Sequence, residues 1–223
     1  MRTIPSVSSP VHLRHGARRN GSLSARRSLR VAAAALAAAL AVGLSACAPD
    51  PATEAFLNGD EKAYTSADFR TVEIPADKRG EPVVFGGVTE HGKDFSSEDI
   101  TGDVTVVNFW YAGCGPCRIE APDLEAVWQK HKDDDVTFVG VNIYDQPDTA
   151  KAFAETYGIT YPSLIDATTG EAKLAFAKVT PIQAPPTTLV LDKQGRVAAR
   201  IIGPIEGTSI LSTMIQDALE EKA

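Results

Sequence analysis

The sequence predicts an α/β protein in which helices flank a central mixed β-sheet. Two apolar runs rich in β-branched residues, 104–111 and 136–143, have the composition of fully buried strands. Apolar residues recur at helical spacing after the first run and again near the C-terminus. Two later apolar runs, 187–192 and 196–202, are separated by Lys-Gln-Gly and indicate a β-hairpin. Strands and helices therefore alternate along the chain.

Shorter elements complete the predicted order. Segment 82–95 carries the turn signals Gly-Gly and His-Gly between short apolar runs, which predicts a small hairpin before the core. Pro116 suits the first turn of the helix that follows the first buried strand. A second helix is predicted to end at Gly158. That second helix is predicted to start at 148. Further along the chain, the sequence predicts a short strand at 161–166, a short helix at 170–179 and a C-terminal helix from about 208.

The first 46 residues have the composition of an export signal. They contain seven arginines and no acidic residue, and they end in a 14-residue apolar run, 31–44. That run is shorter than the roughly 20 residues of a membrane-spanning helix, so a cleaved signal fits better than a permanent span. Leu44-Ser45-Ala46-Cys47 resembles the bacterial lipobox, which implies cleavage before Cys47 and a diacylglyceryl group on its thiol. An ordinary secretory signal is the alternative, and Arg26-Arg27 also leaves twin-arginine export open.

The predicted organisation has three parts. A lipoprotein signal peptide covers 1–46, a polar segment broken by Pro and Gly forms a flexible tether over 47–70, and the folded domain covers 71–223. Without the seven leader arginines, 15 basic residues remain against 29 acidic ones, a formal charge of −14. Such a surface argues against nucleic acid or anionic lipid as a partner. Attachment to the membrane would therefore depend on the lipid of Cys47.

Two of the three cysteines remain for chemistry in the domain, Cys114 and Cys117. A disulfide between residues three apart closes a very short loop and adds little stability, so a purely structural role explains the pair poorly. The pair lies where a buried strand is followed by a helix. Helix N-termini stabilise thiolates, so Cys114 is the expected nucleophile, and Cys117, one turn later, could resolve a mixed disulfide.

Two motifs make this interpretation specific. "VVNFWYAGCGPCRIEAPDL", 106–124, is similar to the active-site region of the thioredoxin superfamily, and its CxxCRxExP pattern resembles the membrane-tethered TlpA/ResA-type branch. Far downstream, "APPTTLVLD", 184–192, is similar to the cis-proline loop of that superfamily. The resemblance implies a thioredoxin-like fold with an N-terminal β-hairpin and an inserted helix-strand element. It also implies a thiol-disulfide oxidoreductase.

The resemblance assigns further residues to the site. Pro186 would follow a cis peptide bond and face Cys114, while the backbone of Pro185 would pair with an incoming peptide. Trp110 is a candidate for substrate binding. Gly113 stands where the family usually has Trp, which would remove an apolar surface beside the nucleophile and widen the substrate pocket.

Glu120 has two interpretations. The family pattern implies a partly buried acid that shuttles the proton of Cys117, with a raised pKa. The alternative is a first-turn Glu that only favours the helix dipole. Thioredoxin has a buried Asp at the position that corresponds to Asn108 in this chain, and the amide of Asn108 does not titrate.

The predicted function is disulfide exchange at the extracytoplasmic face of the cell membrane. Gly115-Pro116 is the dipeptide of thioredoxin, which favours a reductase. The expected partners are exported thiol or disulfide proteins such as apocytochrome c, and a membrane thiol carrier of electrons. No cofactor and no bound metal is expected.

Four alternatives stay open. The protein could form disulfides instead of reducing them, or could be an inactive binding domain. A peroxiredoxin-like peroxidase would have Thr or Ser where this chain has Tyr111. A metal-binding module would need more ligands than the two thiols, and the nearest histidine along the chain is His131. Both His131 and His91 have polar neighbours in sequence, and we expect them at the surface.

Overall fold

The computed structural model describes residues 70–221. The strands are β1 (Thr71–Glu73), β2 (Gly86–Val88), β3 (Asp94–Ser96), β4 (Val104–Trp110), β5 (Val136–Asn142), β6 (Ser163–Ile165), β7 (Thr187–Leu191) and β8 (Val197–Ile202). The helices are α1 (Gly115–His131), α2 (Pro147–Tyr157), α3 (Glu171–Phe176) and α4 (Ser209–Glu220), with a short 3-10 turn at Ser97–Ile100. The predicted signal peptide, Cys47 and the tether up to residue 69 lie outside the described residues.

Six strands form one mixed sheet in the order β1-β8-β7-β4-β5-β6. β4, β5 and β6 run parallel, whereas β7, β8 and β1 are joined by antiparallel pairing. β2 and β3 form the separate hairpin that the sequence predicts. The mixed α/β architecture, the N-terminal hairpin and the inserted helix and strand, α2 and β6, are therefore confirmed.

Hydrophobic residues cover both faces of the sheet. Successive side chains of a strand point to opposite faces, so Val106 belongs to a cluster with Leu124 of α1 and Ile215 of α4. Val107 joins the cluster on the other face, which contains Phe176 of α3. All seven residues of β4 are buried. This burial on both faces explains why β4 is mostly apolar instead of alternating between apolar and polar residues.

The pairing of β4 determines where the functional end of the sheet lies. Phe109 is opposite Thr187, at the start of β7, and Trp110 is opposite Asn142, at the end of β5. The end of β4, the start of β7 and the end of β8 therefore lie at one edge of the sheet, since Thr187 also pairs with Ile202. Residues far apart in sequence meet there.

Two features of the fold differ from the sequence predictions or go beyond them. The three-residue strand β1 pairs with β8, although its sequence has no recognisable strand pattern. His131 is 2% exposed, so its prediction as a surface residue is wrong, whereas the His91 side chain is 63% exposed. The reason is the helical period, because His131 continues the buried stripe of Leu124 and Val127 on α1.

The described part of the chain contains no helix long and apolar enough to cross a membrane.

Candidate active site

The two cysteines form a disulfide at the junction of β4 and α1. Cys114 is the N-cap of α1, and Cys117 lies in its first turn, with 5.2 Å between their Cα atoms. The backbone N–H of Cys117 donates a hydrogen bond to the Cys114 sulfur at 3.1 Å. The same N–H and the helix dipole would stabilise a thiolate on Cys114 after reduction. The two residues are 3% and 2% exposed, so burial does not distinguish them, whereas this hydrogen bond does.

The cis-proline loop lies at the same edge of the sheet. The peptide bond between Pro185 and Pro186 is cis, as the resemblance implies. Pro186 directly precedes β7, whose first residue pairs with Phe109 near the end of β4. The carbonyl of Pro186 accepts a hydrogen bond from the Gly203 N–H at 2.8 Å, which ties the loop to the end of β8. Pro185 is half-buried, so part of it is accessible from outside.

Glu120 is buried behind the disulfide, one turn after Cys117 on α1. It is 1% exposed, which agrees with the interpretation of a buried acid beneath the cysteine pair. Its two oxygens accept hydrogen bonds from Asn108 Nδ2 at 2.8 Å and from the Ile205 N–H at 3.0 Å. Burial raises the pKa of Glu120 to about 7, although both hydrogen bonds act in the opposite direction.

Asn108 connects this acid to the surroundings of Cys117. Its Nδ2 also donates to the Thr188 hydroxyl at 3.0 Å, so the amide spans from α1 to β7. Asn108 and Cys117 both line a small cavity of about 10 Å³. A cavity of that size is near the lower limit for one water molecule. The acid, the amide and Cys117 thus form one buried group at the start of α1.

Trp110 is buried next to the disulfide. It is 5% exposed and belongs to the same hydrophobic cluster as Cys114 and Cys117. Its ring packs on Phe153 with 4.3 Å between centroids, and its Nε1 donates to the Ser163 hydroxyl at 3.2 Å. Little of the Trp110 surface is available to a substrate. Its place in substrate binding stays a prediction, and the contacts seen here are those of a buried residue that packs beside the disulfide.

The loop before Cys114 is held by residues that the sequence analysis missed. The N–H of Ala112 donates to the Asp145 carboxylate at 2.6 Å, and Asn142 Nδ2 donates to the same oxygen at 2.9 Å. Arg118 Nε donates to the Ala112 carbonyl at 2.7 Å. The pattern Asn-x-x-Asp, which starts at the last residue of the buried strand β5, is a sequence signal for this contact, because parallel neighbouring strands end at the same edge of a sheet.

Comparisons with known proteins agree with this architecture. The family model described as Redoxin matches residues 63–215. The thiol-disulfide oxidoreductase ResA of Bacillus thuringiensis is 30% identical over 112 residues, which are 50% of this chain and 62% of that protein. The chain thus spans about six tenths of the length of that curated relative.

Solved structures show the same fold. A thiol:disulfide interchange protein of the thioredoxin family from Chlorobium tepidum aligns with a TM-score of 0.58 and 34% identity, over 63% of this chain and 97% of that one. A secreted thiol-disulfide isomerase from Corynebacterium glutamicum aligns with a TM-score of 0.63 and 25% identity, over 71% of this chain and 96% of that one. Because the family match covers more than half of its length, the chain belongs to the redoxin family, in the ResA-type branch of the thioredoxin superfamily.

Proposed function

We propose that this protein is a thiol-disulfide oxidoreductase that reduces disulfides of exported proteins. The observation that carries the proposal is the disulfide at the N-terminus of α1, at the sheet edge that also holds the cis-proline loop. The Cys114 thiolate attacks a substrate disulfide, forms a mixed disulfide and releases one substrate thiolate. Cys117 then loses its proton and attacks the Cys114 sulfur. This step restores the protein's disulfide and leaves the substrate with two thiols.

Glu120 serves as the proton acceptor for Cys117 in this scheme. It lies one helical turn after Cys117, and its pKa of about 7 suits exchange of a proton near neutral pH. Asn108 and the Ile205 N–H orient the carboxylate. Asn108 itself does not titrate, so it takes no proton.

The direction of exchange follows from the Gly115-Pro116 dipeptide, which is that of the reductant thioredoxin. The relatives are named an oxidoreductase, an interchange protein and an isomerase. All three names describe thiol-disulfide exchange, but they do not agree on whether disulfides are reduced, formed or rearranged. The ResA-type resemblance favours apocytochrome c or similar exported thiol proteins as substrates. The returning electrons would come from a membrane thiol carrier.

The proposed location is the extracytoplasmic face of the membrane, with lipid on Cys47. The export signal and lipobox support it, and one relative in the comparison is described as secreted.

The reduction potential of the Cys114–Cys117 pair tests the direction. We expect a value near that of thioredoxin, about −270 mV, when the full-length protein is equilibrated with dithiol buffers. The variants Cys114→Ala and Cys117→Ala each lack one of the two thiols, so they serve as controls that cannot form the dithiol-disulfide redox couple. A value near about −120 mV would instead make the protein a disulfide-forming oxidant. Absence of any reversible two-electron couple would refute the oxidoreductase proposal.

The anchor is tested by Cys47→Ser. Without the thiol that carries the lipid, we expect the protein to move from the membrane fraction to the soluble fraction, because the acidic domain itself has little affinity for anionic lipid. Incorporation of a labelled fatty acid into the wild-type chain, but not into the variant, is the companion measurement. If both proteins stay in the membrane fraction without label, an uncleaved signal rather than a lipid is the anchor.

A further inference from the structure

The space beside the nucleophile is filled by an aromatic ring from the neighbouring part of the loop. A Cβ built on Gly113 would lie 3.2 Å from Cε2 of Tyr111 and 3.5 Å from its Cδ2. The Tyr111 ring therefore lies against Gly113 and occupies part of the space that a side chain there would need. The expected loss of an apolar surface next to Cys114 is compensated from position 111.

A second tyrosine extends this surface outward. The rings of Tyr111 and Tyr144 meet edge to face, with 5.0 Å between centroids and 71° between planes. Tyr111 also packs against the cluster that contains both cysteines. Tyr144 is 68% exposed, so its ring, apolar on its faces with a polar hydroxyl at its end, is accessible from outside. We call these two rings the tyrosine pair.

Backbone contacts hold the tyrosine pair at a defined position relative to Cys114. The Cys114 N–H donates to the Tyr111 carbonyl at 3.1 Å, and the Ile143 N–H donates to the Trp110 carbonyl at 3.1 Å. The Tyr144 N–H donates to Asn142 Oδ1 at 3.1 Å. The two loops are thus fixed side by side at the ends of β4 and β5. A surface that is already ordered loses little entropy when a partner binds.

We propose that the tyrosine pair is a docking surface for the substrate polypeptide and selects segments with an apolar or aromatic side chain beside the reacting cysteine. This inference rests on the proposed exchange function. In the mixed disulfide the substrate sulfur is bonded to Cys114, so the adjacent substrate residues must lie over the surface around Cys114. The tyrosine pair is the apolar part of that surface contributed by the loops after β4 and β5. An apolar residue next to the substrate cysteine packs on the tyrosine pair, whereas a small polar residue there adds no binding free energy.

Two peptide disulfides with the same leaving thiol test the inference, one with Phe and one with Ser beside the cysteine. The reduced full-length protein is expected to react with the Phe peptide about three- to tenfold faster in kcat/KM, the range of a single aromatic contact. Tyr144→Ala should bring this ratio close to one, and Tyr144→Phe should retain it. Leu174→Ala is the matched control, because Leu174 is 69% exposed and lines a groove that contains none of the residues of the active site.

Each outcome decides the question. A ratio near one in the wild type, or a ratio kept by Tyr144→Ala, overturns the docking inference, as does an equal loss of the ratio in Leu174→Ala. Oxidised glutathione separates this failure from failure of the proposed function. If the wild-type protein exchanges with glutathione but shows no peptide preference, only the docking surface is refuted. If it exchanges with none of the three disulfides, the proposed function fails and the docking surface fails with it.

Discussion

Cys117→Ser is expected to accumulate a covalent complex between Cys114 and a substrate. The variant keeps the thiol that we assign as attacking group, but it lacks the second thiol that resolves the mixed disulfide. Non-reducing electrophoresis and mass spectrometry of the reduced variant, after incubation with a peptide disulfide, measure the complex. We expect most of the protein in the complex, whereas the wild type should show almost none.

The matched variants assign the two cysteines. Cys114→Ser should lower exchange to the uncatalysed rate and form little complex, because the sulfur at the N-cap of α1 is gone. Cys47→Ser removes a thiol predicted to lie outside the site and should behave like the wild type toward a soluble peptide. If Cys114→Ser instead captured as much peptide as Cys117→Ser, the roles assigned to the two cysteines would be reversed.

Glu120→Gln is expected to remove a large part of the pH dependence of stability. Burial raises the pKa of Glu120 from 4.5 to about 7, so between these pH values the folded protein holds a proton that the unfolded chain has lost. The free energy of unfolding therefore falls as pH rises through this range, by up to about 3 kcal/mol, and stays level above it. The variant cannot titrate there, so its curve should be flatter by that amount.

Chemical denaturation of the oxidised protein at several pH values measures this difference. The slope, not the absolute stability, is the readout, because the amide of the variant leaves either Asn108 Nδ2 or the Ile205 N–H without an acceptor. Glu155→Gln is the control, since Glu155 is an exposed acid on α2. Equal slopes in wild type and Glu120→Gln would mean that Glu120 is ionised throughout the range. The resolving step should also lose its pH dependence near pH 7 in the variant.

Local patterns predict most of the elements and the position of the cysteine pair. The buried run before Cys114 and the first-turn Pro116 are neighbours in sequence, so the strand, the helix start and the disulfide between them follow from short-range rules. These short-range rules do not predict strand β1. With three residues it has no pattern of its own, and it is a strand because β8 offers an open edge.

Long-range contacts explain what the sequence left open. Glu120 has two interpretations in sequence because its second partner, Ile205, is 85 residues away. Tyr144 belongs to a polar-looking loop and becomes relevant only where parallel pairing of β4 and β5 brings it to Tyr111. The prediction of a surface position for His131 is wrong because its polar neighbours in sequence do not show that its face of α1 is buried.

The sequence by itself determined the mixed α/β order, the cysteine pair at a helix N-terminus and, through two motifs, the superfamily. These properties depend on residue type and short spacing, which a sequence displays directly. Only the tertiary structure decided the burial of Glu120 with its raised pKa, the burial of Trp110 beside the disulfide and the tyrosine pair beside Cys114. Each of these depends on which distant residues remove a side chain from water, and strand pairing across the sheet determines that.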